Sequence, residues 1–243
     1  MRILLINPNT TSQITDTVAS YARSIAGDGV EIVSATGRFG ARYISTRAAA
    51  VIAAHAALDA FAEHGVGCDA IYLACFGDPG LLALKEVSPV PVVGMAEASC
   101  HLACMIGRRF AIVTGGERWK PMLEEFVAAQ GLFERLAGVR AVAPTGSEIA
   151  RDPEGALALL AEACRRCATD DGADVVVLGG AALAGMAAKL SSSVPVPLIC
   201  SVEAGTRAAL ALATHGRTAS GATHPSTPSV GLSNALARLI AVR

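Results

Sequence analysis

One cysteine in the sequence stands where a thiol could do chemistry. Cys75 ends the apolar stretch 70–74 and precedes the segment FGDPG, in which Asp78 and Pro79 have the pattern of an N-cap residue and a first-turn proline. We therefore predict a helix that opens there and runs through Glu86. Amide N–H groups at such a helix entry can bind a carboxylate or an enolate, and their positive field favours thiolate over thiol. The alternative is a core cysteine, because free cysteine is among the most buried residue types.

The stretch around Cys75 has a counterpart later in the chain. Residues 67–75 (GCDAIYLAC) match residues 172–180 (GADVVVLGG), and a Pro-Val-Pro motif follows at 89–91 and again at 195–197. This repeat predicts two related α/β halves that face each other across a pseudo-two-fold axis. Positions 75 and 180 would then flank one ligand in a shared cleft. That geometry suits chemistry that approaches one carbon from two opposite sides, and it favours a reactive thiol at Cys75.

Polar residues also follow two other predicted strands. The segment NPNTT occupies residues 7–11, and Thr114 opens the segment TGG after the stretch 110–113. Their amide and hydroxyl groups could cap helices or could contact a polar substrate. With Cys75 as the catalytic group, the predicted substrate-binding residues are Asn9, Thr10, Phe76, Gly77, Asp78, Thr114, Gly180 and Ala181.

The elements that must position these residues alternate along the chain. Strands are predicted at 2–6, 30–35, 70–74, 90–94, 110–113, 175–178 and 197–199, with helices at 12–25, 47–64, 117–129, 153–169 and 203–214 among others. Strands separated by helices indicate parallel sheets with right-handed crossovers, which bind small ligands beyond the carboxyl ends of their strands. The predicted fold class is α/β, with two pseudo-symmetric domains, each a mostly parallel sheet flanked by helices, and the active site in the cleft between them.

The two halves are not expected to be continuous in sequence. We predict a first domain of residues 1–95 plus 206–243 and a second domain of residues 96–205. Residues 231–242 have helical apolar spacing and are expected to pack back on the first half. The stretch 214–230 is rich in Ser, Thr, Gly and Pro, which is typical of a mobile flap or a tether.

Composition excludes several classes of protein. The 243 residues include 20 basic and 21 acidic side chains, so no basic excess exists to bind nucleic acid. The apolar runs fall short of the roughly 20 residues that a membrane span needs, and the opening residues do not form a signal peptide. Seven cysteines, an odd number, are typical of a reduced cytoplasmic setting. The Cys164–Cys167 pair has no second pair to complete a metal site, so no metal is predicted.

Three motifs together resemble the aspartate/glutamate/hydantoin racemase superfamily, and most of all its hydantoin and allantoin racemase branch. They are INPNT at 6–10, CFGDPGL at 75–81 and PVVGMAEA at 91–98, and the resemblance extends to about residue 215. It implies two pseudo-symmetric α/β domains, no cofactor, a small anionic or ureide substrate and a homo-oligomer. It also implies two cysteines, one in each half, that act as base and acid on opposite faces of a carbon next to a carbonyl. Cys75 matches the first of these.

The second cysteine of that pattern is replaced by Gly180, which has no side chain to move a proton. Racemase or isomerase activity on a hydantoin-, allantoin- or amino-acid-like substrate remains the leading hypothesis, with water or another group in place of the second thiol. Alternatively, Cys75 alone protonates an enolate after loss of carbon dioxide, as in the single-cysteine decarboxylases of the superfamily. It could also act as a nucleophile, as in the superfamily's cis–trans isomerases. A non-catalytic binder of a small carboxylate or ureide is the alternative from another class.

Overall fold

The computed structural model describes residues 1–142, 146–216 and 229–241, and its core consists of two four-stranded parallel sheets. The first sheet has the order β2-β1-β3-β4 and the second the order β6-β5-β7-β8. The strands are β1 (Arg2–Asn7), β2 (Glu31–Thr36), β3 (Ala70–Leu73), β4 (Val92–Gly94), β5 (Phe110–Gly115), β6 (Leu136–Val142), β7 (Val175–Leu178) and β8 (Leu198–Cys200). The identical strand order in both sheets agrees with the sequence repeat, and the predicted α/β fold is confirmed.

Helices connect the strands and cover the sheets. They are α1 (Ser12–Ala26), α2 (Arg47–His64), α3 (Leu81–Val87), α4 (Met95–Ile106), α5 (Trp119–Ala129), α6 (Gly146–Arg151), α7 (Pro153–Thr169), α8 (Met186–Leu190), α9 (Ser201–Ala213) and α10 (Asn234–Ala241). The central strands β3 and β7 are buried at every position, as expected for parallel strands with helices on both faces. Within the described ranges, no helix combines the length and apolar character needed to cross a membrane.

The repeat is also visible in matching hydrogen bonds at the amino ends of β3 and β7. The Asp69 carboxylate accepts from the backbone N–H of Arg2 at 2.7 Å, and the Asp174 carboxylate accepts from that of Arg109 at 2.9 Å. Both turns begin with a glycine at positive φ, +74° in the first half and +67° in the second. These contacts fix the register of β3 beside β1 and of β7 beside β5, so both strands end at equivalent points.

Two helices each pack against the sheet of the other half and so join the two halves. Helix α4 follows the first sheet but packs against β7 of the second, whereas α9 follows the second sheet but packs against β3 and β4 of the first. The two helices also pack against each other. The division into residues 1–95 plus 206–243 and residues 96–205 remains a prediction, and its second boundary falls inside α9.

The structure corrects two details of the predicted elements. Sequence patterning missed β6, an edge strand whose residues are mostly half-buried and therefore lack the continuous apolar run of the central strands. The helix predicted to open at Asp78 begins instead at Leu81, after a left-handed Gly80. The predicted C-terminal helix is confirmed as α10, which packs on α2. Of the predicted flap or tether, residues 217–228 lie outside the described residues.

Asp78 does not cap the helix that follows it in sequence; it caps α4. Its carboxylate accepts from the backbone N–H groups of Ala96 at 2.9 Å and Glu97 at 2.7 Å, and its side chain is buried. The residue has a φ of +46°, in the left-handed region that Asp tolerates better than most residues. One buried carboxylate thus fixes the turn after β3 to the helix that crosses to the second sheet.

We expect Asp78→Ala to lower the free energy of unfolding by about 3 kcal/mol, because two N–H groups at the start of α4 lose a charged acceptor. Asp152→Ala is the matched control, since Asp152 accepts from Gly155 at an exposed helix start and should cost only about 1 kcal/mol. Urea unfolding followed by circular dichroism measures both values. An equal effect of the two substitutions would contradict the structural role given to Asp78.

Candidate active site

A cavity lies where the carboxyl ends of both sheets meet. The atom-free space between its lining residues, open solvent included, is about 620 Å³. Six of the predicted site residues line it together: Asn9, Cys75, Phe76, Thr114, Gly180 and Ala181. Residues from the two halves of the repeat therefore face one shared space, as the pseudo-symmetry predicted.

Cys75 follows β3 directly and is only 8% exposed, although it lines the cavity. Burial, followed by the negative charge of Asp78, raises the pKa of the Cys75 thiol to about 12. The expectation that the helix entry favours thiolate is therefore wrong for this structure, because α3 begins six residues further on and Asp78 lies near the sulfur. At neutral pH, Cys75 is a protonated thiol in a largely apolar wall.

The carboxylate of Asp78 is itself unusual. Burial raises its pKa to about 7, against the opposing effect of the N–H groups of Ala96 and Glu97. The predicted contact between Asp78 and substrate is not found, because its carboxylate points to α4 and the residue is absent from the described cavity wall. The negative charge of Asp78 instead helps to raise the pKa of the Cys75 thiol.

Gly180 lies on the cavity wall contributed by the second half of the repeat. Its φ is +142°, which favours glycine, and its N–H donates to the Ser201 hydroxyl at 3.1 Å. A Cβ atom built at Gly180 would have its nearest neighbours 3.9 Å away, the Leu183 Cγ and Thr114 Oγ1 atoms. A Cβ atom here would therefore make ordinary van der Waals contacts, and the wall at this position is bare backbone.

The halves meet around the cavity through aromatic rings packed on glycine. A Cβ atom on Gly179 would lie 2.4 Å from the Phe76 ring, and one on Gly77 would lie 2.7 Å from the Trp119 ring. The Gly77 contact explains why this residue, predicted to bind substrate, is not part of the described wall. Only glycine allows each ring to approach the opposite backbone this closely. These contacts fix the width of the cleft near Cys75.

The turn after β1 presents one polar group to the cavity. The Asn9 side-chain oxygen accepts from the Asn7 side-chain amide at 3.0 Å and from the Thr11 N–H at 2.8 Å. The Asn9 side-chain nitrogen has no partner within the described ranges, so it remains available as a donor. Thr10 does not reach the described wall; its N–H donates to the Ala41 carbonyl and holds a neighbouring loop in place.

The opposite wall offers further polar groups. Thr114 is a largely buried residue of the cavity wall, and its hydroxyl makes no hydrogen bond to a described residue. In the loop after β7, the N–H groups of Ala181 and Ala182 likewise have no acceptor in the described chain, whereas that of Gly180 already donates to Ser201. Asn9, Thr114 and this loop can therefore offer hydrogen bonds to an oxygen atom in the cavity.

Sequence analysis missed several residues of the wall. They are Ile14, Arg42, Tyr43, Ile44 and Trp119. The loop that contains 42–44 carries no strand or helix pattern, so no periodicity marked it. Its position depends on tertiary contacts, including the bond from the Tyr43 hydroxyl to the Gly115 carbonyl at 2.9 Å.

The other cysteines do not supply a second thiol to the cavity wall as described. Cys200 is buried beside Tyr21, and burial, followed by the charge of Cys200, raises the pKa of Tyr21 to about 12. Cys164 and Cys167 are buried on α7. Among the described residues, no three His, Cys, Asp or Glu side chains converge in a way that could hold a metal ion.

Comparison with known proteins agrees with this arrangement. A profile described as Asp/Glu/hydantoin racemase matches residues 3–209. The hydantoin racemase of Pseudomonas sp. (strain NS671) is 35% identical over 208 residues, which cover 85% of this chain and 84% of that protein. The hydantoin racemase of Paenarthrobacter aurescens is 36% identical over 218 residues, covering 89% and 92%.

A solved structure extends the likeness to three dimensions. The crystal structure of allantoin racemase from Pseudomonas fluorescens superposes with a TM-score of 0.90 at 31% identity, covering 95% of this chain and all of that one (100%). The match spans both sheets and the cavity between them. The chain belongs to the Asp/Glu/hydantoin racemase family.

Proposed function

We propose that the protein moves the proton on a carbon next to a carbonyl group of a small hydantoin-, allantoin- or amino-acid-like substrate, as a cofactor-independent racemase or isomerase. The observation that carries this proposal is the meeting of Cys75 with the Gly180 loop in one cavity between the two sheets. The hydantoin and allantoin racemases that this chain resembles favour a cyclic ureide as the substrate class.

Each group in the cavity has a chemical role in this proposal. The Cys75 thiolate removes the proton on the carbon and the resulting thiol returns it. The negative charge that develops on the carbonyl oxygen is held by N–H groups of the Ala181–Ala182 loop and by the Asn9 side-chain nitrogen. Donors fixed in advance around a partly buried site stabilise such charge without reorganising during the reaction.

The second face of the carbon has no side chain that matches Cys75. A water molecule in the cavity that Gly180 and Thr114 both line could serve this face, held by the Thr114 hydroxyl. A water molecule is a poorer acid than a positioned thiol, and loss of a positioned acid or base costs about 10²- to 10⁴-fold. We therefore propose that proton exchange on the Cys75 face is faster than inversion.

The bare Gly180 backbone also favours a second candidate function. A decarboxylase needs one proton donor on one face, and the space beside Gly180 could take a substituent of a malonate-type substrate. Cys75 would then protonate the enolate that remains after carbon dioxide leaves. The small-molecule substrate follows from the family, while a homo-oligomer and a cytoplasmic location remain predictions.

We expect Cys75→Ala to reduce turnover by about 10²- to 10⁴-fold, because it removes the acid/base group. Chiral hydantoins, allantoin, aspartate, glutamate and substituted malonates are incubated in deuterated water, and NMR and chiral chromatography follow exchange, inversion and carbon dioxide loss. Cys104→Ala is the control, since Cys104 is half-buried on α4 away from the described cavity wall and should leave turnover unchanged.

The same panel separates the candidate functions. Exchange at the carbon next to the carbonyl supports the racemase or isomerase, and loss of carbon dioxide from a malonate supports the decarboxylase. Saturable binding with neither reaction would identify a binder. Turnover that persists unchanged in Cys75→Ala would contradict the catalytic assignment.

We expect deuterium exchange in the unmodified protein to exceed inversion by about tenfold or more for one enantiomer, because only one face carries a thiol. Gly180→Cys should raise inversion relative to exchange, since Gly180 lines the cavity and a Cβ atom there makes only ordinary van der Waals contacts. Gly180→Ala is the matched control, because it imposes the same backbone strain without an acid or base. Inversion as fast as exchange before any substitution would show that another group already serves the second face.

The rate should also depend on pH in a direction that distinguishes the two chemistries. Because the pKa of Cys75 is about 12, the thiolate fraction rises about tenfold per pH unit between pH 7 and pH 10. Proton abstraction by thiolate should make kcat/KM rise with the same slope. A decarboxylase that uses the protonated thiol should have a flat profile over this range, so a flat profile for proton exchange would contradict thiolate as the base.

A further inference from the structure

The rim of the cavity carries one charge that the proposed proton transfer does not use. Arg42 is the only charged residue among the described residues that line the cavity, and its side chain is exposed. The structure gives its guanidinium no ion pair or hydrogen bond within the described ranges. A cation at the mouth of a substrate cavity is suited to an anionic group of the ligand.

The arginines on either side of Arg42 in the sequence, unlike Arg42, pair with carboxylates. Arg38 forms a bidentate pair with the buried Asp59 carboxylate at 2.8 and 2.9 Å, and Arg47 pairs with Glu125. Arg42 lies between them in sequence but faces no described carboxylate. Its charge is therefore not used to pack the loop against the part of the chain that the structure describes.

The backbone of Arg42 is nevertheless fixed at the cavity mouth. Its carbonyl accepts from the Thr11 hydroxyl at 2.9 Å, and the preceding Ala41 carbonyl accepts from the Thr10 N–H at 3.1 Å. The following Tyr43 donates its hydroxyl to Gly115 in the second half. Both halves thus hold the loop, so the guanidinium stays near the cavity even though its side chain is exposed.

The rest of the wall is complementary to negative charge. No carboxylate is found among the described residues of the wall, while Asn9 and the Ala181–Ala182 loop offer N–H groups. An acidic group at the mouth would meet Arg42 without facing a like charge. The reacting carbonyl could at the same time lie deeper, near Cys75.

We propose that Arg42 makes the protein selective for substrates that carry a carboxylate outside the reacting ring, such as a hydantoin with an acidic side chain. The guanidinium can hold such a carboxylate through two parallel hydrogen bonds, which also orient the ring above the thiol. This inference rests on the proposed function, because it names the substrate class of the same cavity.

The test compares 5-carboxymethylhydantoin with its neutral amide, 5-carbamoylmethylhydantoin, in Arg42→Met. Because Arg42 is solvent-exposed, we expect KM for the acid to rise about tenfold with kcat little changed, and KM for the amide to change less than about twofold. Arg42→Lys should recover part of the loss. Arg108→Met is the control, since Arg108 is exposed at the amino end of β5, whereas the cavity lies at the carboxyl ends of the strands. This substitution should change KM for neither substrate.

The outcomes separate this inference from the proposed function. An equal loss for acid and amide, or no loss for either, overturns the role of Arg42 in selectivity. If the unmodified protein exchanges the proton of neither compound, the proposed function fails for these rings. Calorimetric binding of acid and amide then still tests Arg42, because tighter binding of the acid that Arg42→Met abolishes supports selectivity, and equal affinities overturn it.

Discussion

The site depends on one buried carboxylate that joins two elements from different halves of the fold. Asp78 turns the chain after β3 and binds the first N–H groups of α4, and α4 then packs on the second sheet. The residue that sets the direction of the chain after Cys75 is thus also the anchor of a helix in the opposite half. The same carboxylate, together with burial, keeps the Cys75 thiol protonated. The Asp78 side chain therefore affects both the anchoring of α4 and the pKa of the Cys75 thiol.

The glycine residues around the cavity have two different structural roles. At Gly77 and Gly179 it lets aromatic rings pack directly on backbone, which brings the two halves close together. At Gly180 no ring approaches, and the residue leaves space beside a backbone with positive φ. The missing side chain at Gly180 is therefore not required by packing against a neighbour. In the proposed function, it leaves the two faces of the reacting carbon unequal, with a thiol on one and bare backbone on the other.

Much of the fold could be predicted because the repeat and the buried strands leave strong local patterns. Cys75 and the polar turns at Asn9 and Thr114 were also predictable, since parallel strands bring their carboxyl ends to one edge. The true role of Asp78 was not, because a carboxylate before proline resembles a local cap and its actual partners lie 18 and 19 residues away. Arg42 was missed for a related reason: an irregular loop has no periodicity, and tertiary contacts alone bring it to the cavity.

Burial of the Cys75 thiol and the unpaired N–H groups of the wall both affect the charge that the cavity presents to a ligand. A protonated Cys75, the Asn9 amide and the free N–H groups of the Ala181–Ala182 loop leave the described cavity wall without a permanent negative charge. The donors face no acceptor among the residues that the structure describes, so they remain available for one that a ligand brings. Such a wall interacts weakly with a neutral carbonyl and more strongly with the same oxygen once charge has developed on it, because charge-assisted hydrogen bonds are the stronger ones. In the proposed function, such a wall favours the enolate over the resting substrate, which is the condition for lowering the barrier to proton transfer.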